Sequence, residues 1–123
     1  MLQEGLTHTS QLTVTDAVTA ITMGSGDMPV LATPAMMALM ENAAMLAVAE
    51  QVPEGCTTVG GLITSSHVKP TKVGDTVTAT ATVIAQEGKK ITFKVEAHCG
   101  DDLLGEGTHV RFIVDREKFM SRL

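Results

Sequence analysis

The chain has 123 residues, enough for one domain of ordinary size, and we expect residues 1–123 to form a single domain. Hydrophobic residues make up 44% and charged residues 19%, a balance typical of a folded chain and not of a disordered one. Aromatic residues are only 2% and the formal net charge is −5, so base stacking and attraction to phosphate backbones are both disfavoured, and no nucleic-acid partner is expected.

The first predicted elements are a strand and a long helix. The strand is expected around residues 10–20, SQLTVTDAVTA. Residues 35–51 contain no Gly or Pro and are rich in Ala, Met and Leu, which predicts a helix; Thr33 can cap it through its hydroxyl, and Pro34 takes the first helical position. Because this helix is apolar nearly all round, we expect other structure to cover most of its sides.

Four strands are predicted after the helix. Residues 57–69, TTVGGLITSSHVK, give the weakest pattern because a glycine pair interrupts it. Residues 74–85 and 89–99 alternate between apolar and polar side chains, and the turn residues between them predict a hairpin. Residues 107–115 form the last strand after the turn GDDLLG, 100–105. A long central helix wrapped by an antiparallel sheet of about five strands is the α+β hotdog fold, and its open sheet edge predicts a homodimer or a higher oligomer built from such dimers.

The sequence also bears on the compartment. The N-terminal residues MLQEGLTHTSQ lack the basic and apolar segments of a signal peptide, and polar residues and Pro34 interrupt the apolar stretch 28–49, so no membrane span is expected. Cys56 and Cys99 lack the spacing of a metal site, and two thiols without an export signal are expected to stay reduced. The cytoplasm is therefore the predicted location.

Glu41 is the first candidate for chemistry, because it lies inside the apolar helical segment MMALMENAAML. It either pairs with a lysine or a backbone amide at a dimer seam or serves as a general base or nucleophile, since apolar surroundings disfavour a charged carboxylate unless a cation is close. Thr33 lies eight residues earlier, about 12 Å along a straight helix, so the two side chains cannot touch. Any cooperation between them requires a substrate or a second chain.

Three further residues have both a structural and a functional interpretation. His67, near the end of a strand, suits proton transfer but is also compatible with a structural role. Gly60, next to Gly61, indicates either a bulge or a place where a ligand approaches backbone amides. Arg111 is either a solvated strand residue or a ligand for a carbonyl or phosphate. The four histidines are scattered, so no metal site is predicted.

Four segments together carry a family resemblance: LATPAMMALMENAA, GGLITSSHVKPTKVGDTVTATATV, GKKITFKVEAHCG and GEGTHVRF. From about Val14 to Phe119 the chain resembles the hotdog-fold thioesterases of the fluoroacetyl-CoA thioesterase type. In that family a threonine, a glutamate eight residues later and a histidine 26 residues after the glutamate form the catalytic set. The resemblance places these roles on Thr33, Glu41 and His67, and it assigns substrate binding to His67, Gly60 and Arg111.

The resemblance implies hydrolysis of an acyl-CoA thioester to free acid and CoA, at the interface of a homodimer and without a cofactor, CoA being part of the substrate. Fluoroacetyl selectivity in the family accompanies phenylalanines in a lid before the catalytic threonine, and the matching segment MGSGDMPVLAT has none. We therefore expect a short or medium acyl-CoA as substrate. Two alternatives remain at this point: a non-catalytic acyl-CoA-binding module, and a hotdog enoyl-CoA hydratase, whose GDxNPxH signature is partly matched by SGDMP, 25–29.

Overall fold

The computed structural model describes residue 2 and residues 4–123 of the chain. Five strands and three helices follow one another, with one short 3-10 turn between the first strand and the first helix. In chain order they are β1 (Thr7–Thr13), the 3-10 turn (Asp16–Val18), α1 (Ala20–Met23), α2 (Thr33–Val48), β2 (Cys56–Ser65), β3 (Thr76–Glu87), β4 (Lys90–Cys99), β5 (Asp102–Asp115) and α3 (Arg116–Ser121).

The five strands form one antiparallel sheet in the order β1-β3-β4-β5-β2. The predicted hairpin is present, since β3 and β4 pair from Glu87↔Lys90 onward. Alternating apolar side chains of these two strands point inward, as the sequence pattern predicts, and pack against α2. Their fully buried members are Val77, Ala79, Ala81, Val83, Ile91, Phe93, Val95 and Ala97. The edge strand β2 hydrogen-bonds to β5 only, so its other side is unpaired among the described residues.

The described residues leave only one side of α2 uncovered. The side that faces the sheet is buried and consists of Ala35, Met36, Met40, Ala43, Ala44 and Val48. On the other side Ala38, Asn42 and Leu46 are exposed. Met37, Leu39 and Ala47 also pack against the core, so the expectation that most sides of the helix would be covered is confirmed, and only this narrow exposed side is left without cover. In the part of the chain that the structure describes, no helix combines the length and the apolarity that a membrane crossing requires.

The start of α2 differs from the prediction. Ala32 is the N-cap residue and Thr33 is already helical, so Thr33 does not cap the helix and Pro34 occupies the second helical position. The helix ends at Val48, three residues earlier than predicted. The threonine hydroxyl is free of a capping role because it has another partner, described below.

Three strand boundaries also differ. β1 ends at Thr13, and the residues that follow form the 3-10 turn and α1 where the strand was expected to continue. β2 ends at Ser65, which places His67 just beyond the strand. β5 begins at Asp102, inside the predicted turn, because Gly100 adopts a φ of 59° and allows a much tighter hairpin. The C-terminal helix α3 has no counterpart in the prediction.

Candidate active site

Thr33 and His67 form the first half of the candidate site. The Oγ1 atom of Thr33 lies 2.7 Å from Nδ1 of His67. Thr33 projects from the first turn of α2, and His67 lies between two residues whose amides donate to the backbone of β5: Ser66 N–H to the carbonyl of Glu106 and Val68 N–H to that of Leu104. These two bonds hold the segment after β2 in place, so the position of His67 is fixed from both sides.

The surroundings of His67 favour its neutral form. Burial lowers the pKa of the imidazole below its ordinary value, and the nearby backbone of Lys69 opposes this effect more weakly. The second ring nitrogen, Nε2, is buried and has no hydrogen-bond partner among the described residues. A buried polar atom without a partner is uncommon in proteins. Nε2 is therefore the ring nitrogen of His67 whose hydrogen bond is not made within the described chain.

Glu41 belongs to a second cluster, two turns further along α2. Its Oε2 lies 3.8 Å from Nη1 of Arg111, and its side chain is 42% exposed. Glu41 is thus not the deeply buried carboxylate that its apolar neighbours suggested, because it lies at the border of the uncovered side of the helix and points toward a cation. Within the described chain its ion-pair partner is Arg111, whereas the structural interpretation expected a lysine or a backbone amide at a dimer seam.

Gly60 is the residue of β2 that lies against the side chain of Glu41. It pairs with Arg111 across the β2–β5 ladder, and a Cβ atom added to it would lie 2.9 Å from Oε2 of Glu41. A glycine is required here for the carboxylate to approach the strand this closely. The register shifts between Gly60 and Leu62, so the predicted bulge is also present, with Gly61 packed under the ring of Phe112.

Arg111 is held by three hydrogen bonds. Its Nε donates to Oγ1 of Thr58 over 2.8 Å and its Nη2 to the carbonyl of Thr58 over 2.9 Å, while Nη1 lies 3.2 Å from Nε2 of His109. The side chain is only 7% exposed, and burial lowers the pKa of Arg111 while Glu41 opposes this shift. The guanidinium remains charged. It is a fixed, buried cation and not a solvated strand residue.

Sequence reasoning missed the two residues that hold Arg111. Thr58 lies two residues before Gly60 on β2, and His109 lies two residues before Arg111 on β5, so each shares a face of its strand with a predicted site residue. That two-residue spacing was the available signal. It was not decisive, because only the pairing of β2 with β5 brings the two strands side by side.

The single chain does not bring all the predicted residues together. Thr33 contacts His67, and Glu41 groups with Gly60 and Arg111, but no hydrogen bond or ion pair joins the two groups in the described ranges. Each group borders its own open cleft, of about 250 Å³ beside His67 and about 290 Å³ beside Glu41. Residue 2 and residues 4–123 contain no cluster of three or more His, Cys, Asp or Glu side chains that could hold a metal ion.

Known proteins match this chain over most of its length. The sequence model of one family, described as fluoroacetyl-CoA-specific thioesterase, matches residues 14–117. The fluoroacetyl-CoA thioesterase of Streptantibioticus cattleyicolor is 38% identical over 94 residues, which are 76% of this chain and 68% of that enzyme.

Solved structures agree with the sequence match. The fluoroacetyl-CoA thioesterase FlK superposes with a TM-score of 0.91 and 32% identity, covering 99% of this chain and 95% of the other. A threonine-to-serine mutant of FlK in complex with acetyl-CoA gives a TM-score of 0.92 and 31% identity, with 98% and 96% covered. A Thermus thermophilus member of the thioesterase superfamily gives 0.89 and 26%, with 97% and 88% covered.

These matches confirm the predicted hotdog fold and the predicted enzyme class, thioester hydrolase. They give no support to the hydratase or to the non-catalytic binding module. The match spans both clusters of the candidate site, from the start of α2 to the end of β5. The chain therefore belongs to the fluoroacetyl-CoA-specific thioesterase family.

Proposed function

We propose that this thioesterase hydrolyses short and medium acyl-CoA thioesters in a homodimer, where Thr33 and His67 of one protomer act with Glu41 of the partner subunit. One observation carries the proposal. Within a chain, the Thr33–His67 pair and the Glu41–Arg111 pair are separate, and Glu41 lies at the border of the uncovered side of α2 near the unpaired edge strand β2. A second copy placed against that side would bring a second set of these groups close to the first.

In the proposed reaction, the carboxylate of Glu41 removes a proton from water, and the resulting hydroxide forms a bond to the thioester carbonyl carbon. The oxyanion is stabilised by the Arg111 guanidinium, which has N–H hydrogens left on Nη1 and Nη2, and by backbone amides near Gly60. The C–S bond then breaks, and the proton that Glu41 took from water passes to Nε2 of His67 and from there to the departing sulfur, which restores the carboxylate and the neutral imidazole. Thr33 orients the imidazole through Nδ1.

A second route uses Glu41 as the nucleophile. Its carboxylate then forms an anhydride with the acyl group and releases the CoA thiolate, and water hydrolyses the anhydride. A single turnover in oxygen-18 water distinguishes the two routes. Label recovered in the Glu41 side chain demonstrates the anhydride. Label found only in the product acid also results when water attacks the acyl carbonyl of an anhydride, so in that case trapping of the acyl-enzyme with hydroxylamine decides between the routes.

The substrate range follows from the segment before Thr33. Residues 23–33 contain no aromatic side chain, and Gly24, Ser25 and Gly26 are exposed there. The cleft beside His67 is bordered on this side by Ser25 and Val30. Small side chains leave room for an acyl group larger than acetyl. We therefore propose short and medium acyl chains as substrates, and not fluoroacetyl-CoA alone.

The test measures thiol release from a panel of acyl-CoAs, fluoroacetyl-CoA included, by the native protein and by the variants Glu41→Gln and His67→Ala. Each variant alone is expected to lose at least about 100-fold in kcat. Mixing the two inactive variants as exchanged dimers should restore roughly a quarter of the native activity, because half of the chains pair as hybrids with one intact site each. No recovery in proven hybrids would contradict a shared site, and tight CoA binding without turnover would contradict catalysis.

Two further properties belong to this proposal. Hydrolysis by a carboxylate, an imidazole and water requires no cofactor, so we propose that none is used. Cys56 and Cys99 are free thiols in the structure, which supports a reducing compartment such as the cytoplasm.

A further inference from the structure

His109 is a buried polar side chain to which the proposed reaction gives no role. It is 1% exposed and lies on β5, two residues before Arg111. Its ring lies 6.1 Å from that of Phe93, at an angle of 30°. Because burying a polar group is costly unless its hydrogen bonds are made, both ring nitrogens of His109 need hydrogen-bond partners inside the protein.

Its two ring nitrogens have partners that allow one protonation state. Nη1 of Arg111, 3.2 Å from Nε2, can only donate, so Nε2 must present a lone pair. The carbonyl of Leu62, 2.7 Å from Nδ1, can only accept, so Nδ1 must carry the hydrogen. The neutral tautomer protonated at Nδ1 is therefore the only form that satisfies both contacts.

The surrounding charges agree with this form. Arg111 and Glu41 are the charged groups that influence His109. Burial, the largest effect, and the Arg111 charge lower the pKa of His109, while the Leu62 carbonyl and Glu41 oppose them. The net direction is downward, so the imidazole is neutral where the enzyme is expected to work.

The same three side chains converge on Gly60. The position of a Cβ on Gly60 lies 2.9 Å from Oε2 of Glu41, 3.4 Å from Cε1 of His109 and 3.6 Å from Nη1 of Arg111. Nη1 is thus the atom that faces both Glu41 and the bulge of β2. His109 is the only residue in the described chain whose hydrogen bond fixes that nitrogen, since Thr58 holds the other two.

We propose that His109 is a positioning residue for thioester hydrolysis: its Nε2 lone pair holds Nη1 of Arg111 beside Glu41. The inference rests on the proposed role of Glu41 and Arg111. Without this bond Arg111 keeps its two contacts with Thr58, but nothing in the described chain on the side of Nη1 opposes a shift of that nitrogen relative to the carboxylate. The cost of losing the bond therefore falls on the alignment of Glu41 and of the oxyanion contact and not on the attachment of CoA.

Two matched variants separate this role from a structural one. In His109→Gln the amide oxygen can replace Nε2 as acceptor for Arg111. In His109→Asn the amide can replace only the Nδ1–H bond to Leu62, because the side chain is too short to reach the guanidinium. We expect His109→Asn to lower kcat at least about tenfold with little change in KM, and His109→Gln to stay within about threefold of the native enzyme.

A control variant on another strand, a stability measurement and a double variant distinguish positioning by His109 from general disruption. His98→Asn, on the polar side of β4, should leave kcat and KM unchanged, and thermal unfolding shows whether each variant is folded. In an Arg111→Lys background, His109→Asn should have almost no further effect, because both changes remove the same contact. Equal activity of the Gln and Asn variants, or full additivity with Arg111→Lys, would overturn the proposal.

A spectroscopic test does not depend on variants. Nitrogen-15 NMR of the native protein should show His109 protonated at Nδ1 and unprotonated at Nε2; protonation at Nε2 overturns the inference. A different result would contradict the proposed function itself. If Glu41→Gln and Arg111→Lys retain full activity, the site assignment is wrong, whereas loss of activity in both without an effect of His109→Asn refutes only the role of His109.

Discussion

The two nitrogens of His67 differ in their surroundings, and the difference gives each a role. Nδ1 is bonded to Thr33, whereas Nε2 is buried without a partner in the described chain. Desolvation disfavours the imidazolium, so the ring is a neutral base near pH 7. The family resemblance places Thr33 and His67 in one catalytic set, whereas the helix pattern alone predicts that the hydroxyl of Thr33 caps α2. Only the fold shows that Ala32 takes the cap position and that the hydroxyl reaches across to His67.

We predict that the pKa of His67 measured by NMR titration lies below 6.5. Because the neutral form is the active one, kcat/KM should fall as the pH drops below that pKa. The sign for stability is the same: between the lowered pKa and 6.5 the unfolded chain binds more protons than the native protein, so the free energy of unfolding decreases as the pH falls through this range.

The control for this titration is Thr33→Val, which removes the hydroxyl bonded to Nδ1 and keeps the helix start. It should shift the titration of His67 and lower kcat together. A His67 that titrates at or above 6.5, or a titration that Thr33→Val leaves unchanged, would contradict this account of the site.

At the level of elements, strand pairing explains what the sequence could and could not predict. The alternation in β3 and β4 depends on local spacing alone, and both strands and their hairpin were predicted correctly. The Arg111 cluster forms because β2 lies beside β5 in the sheet. In the sequence, however, two other strands, β3 and β4, come between β2 and β5. No local pattern encodes that neighbourhood, so Thr58 and His109 were missed as its members.

Gly60, at the start of the bulge in β2, has no side chain and so allows Glu41 to lie close to the strand. Gly60→Ala would place a methyl group 2.9 Å from Oε2 of Glu41. The carboxylate is the free end of a flexible side chain, so it can move away at little cost in stability. We expect a fall in kcat of about 10-fold to 100-fold, because the carboxylate is displaced, and a change in unfolding free energy of less than about 1 kcal/mol.

The comparison variant is Gly61→Ala in the same bulge. Its methyl group would lie 2.5 Å from the ring of Phe112, which is 39% exposed and can turn outward. Gly61→Ala should therefore have a smaller effect on kcat than Gly60→Ala. Steady-state kinetics and chemical denaturation of both variants provide the measurements, and the opposite order of effects on kcat would show that the contact with Glu41 is not what Gly60 protects.

At the scale of the whole molecule, the uncovered side of α2 and the free edge of β2 are two neighbouring surfaces without a partner in the described chain. Both leave surface open that globular proteins usually cover, and both lie next to Glu41. The prediction that the helix would be wrapped on most sides is confirmed, and one side with Ala38, Asn42 and Leu46 stays exposed. The apolar residues on that exposed side, Ala38 and Leu46, are accounted for if a second copy of the chain covers them. A hydrophobic pattern in the sequence reflects burial in the assembled protein and not only in one protomer.

Leu62 tests whether the second copy lies along β2. It is 59% exposed on the edge strand, where a lysine would oppose pairing with another strand. Leu62→Lys should weaken the dimer, raising its dissociation constant at least about tenfold, and make activity per chain fall on dilution. Ile84→Lys is the matched control, since Ile84 is 45% exposed on β3, away from that edge. Sedimentation velocity and kinetics over a dilution series measure both effects, and a Leu62→Lys enzyme that stays dimeric and fully active when diluted would place the interface elsewhere.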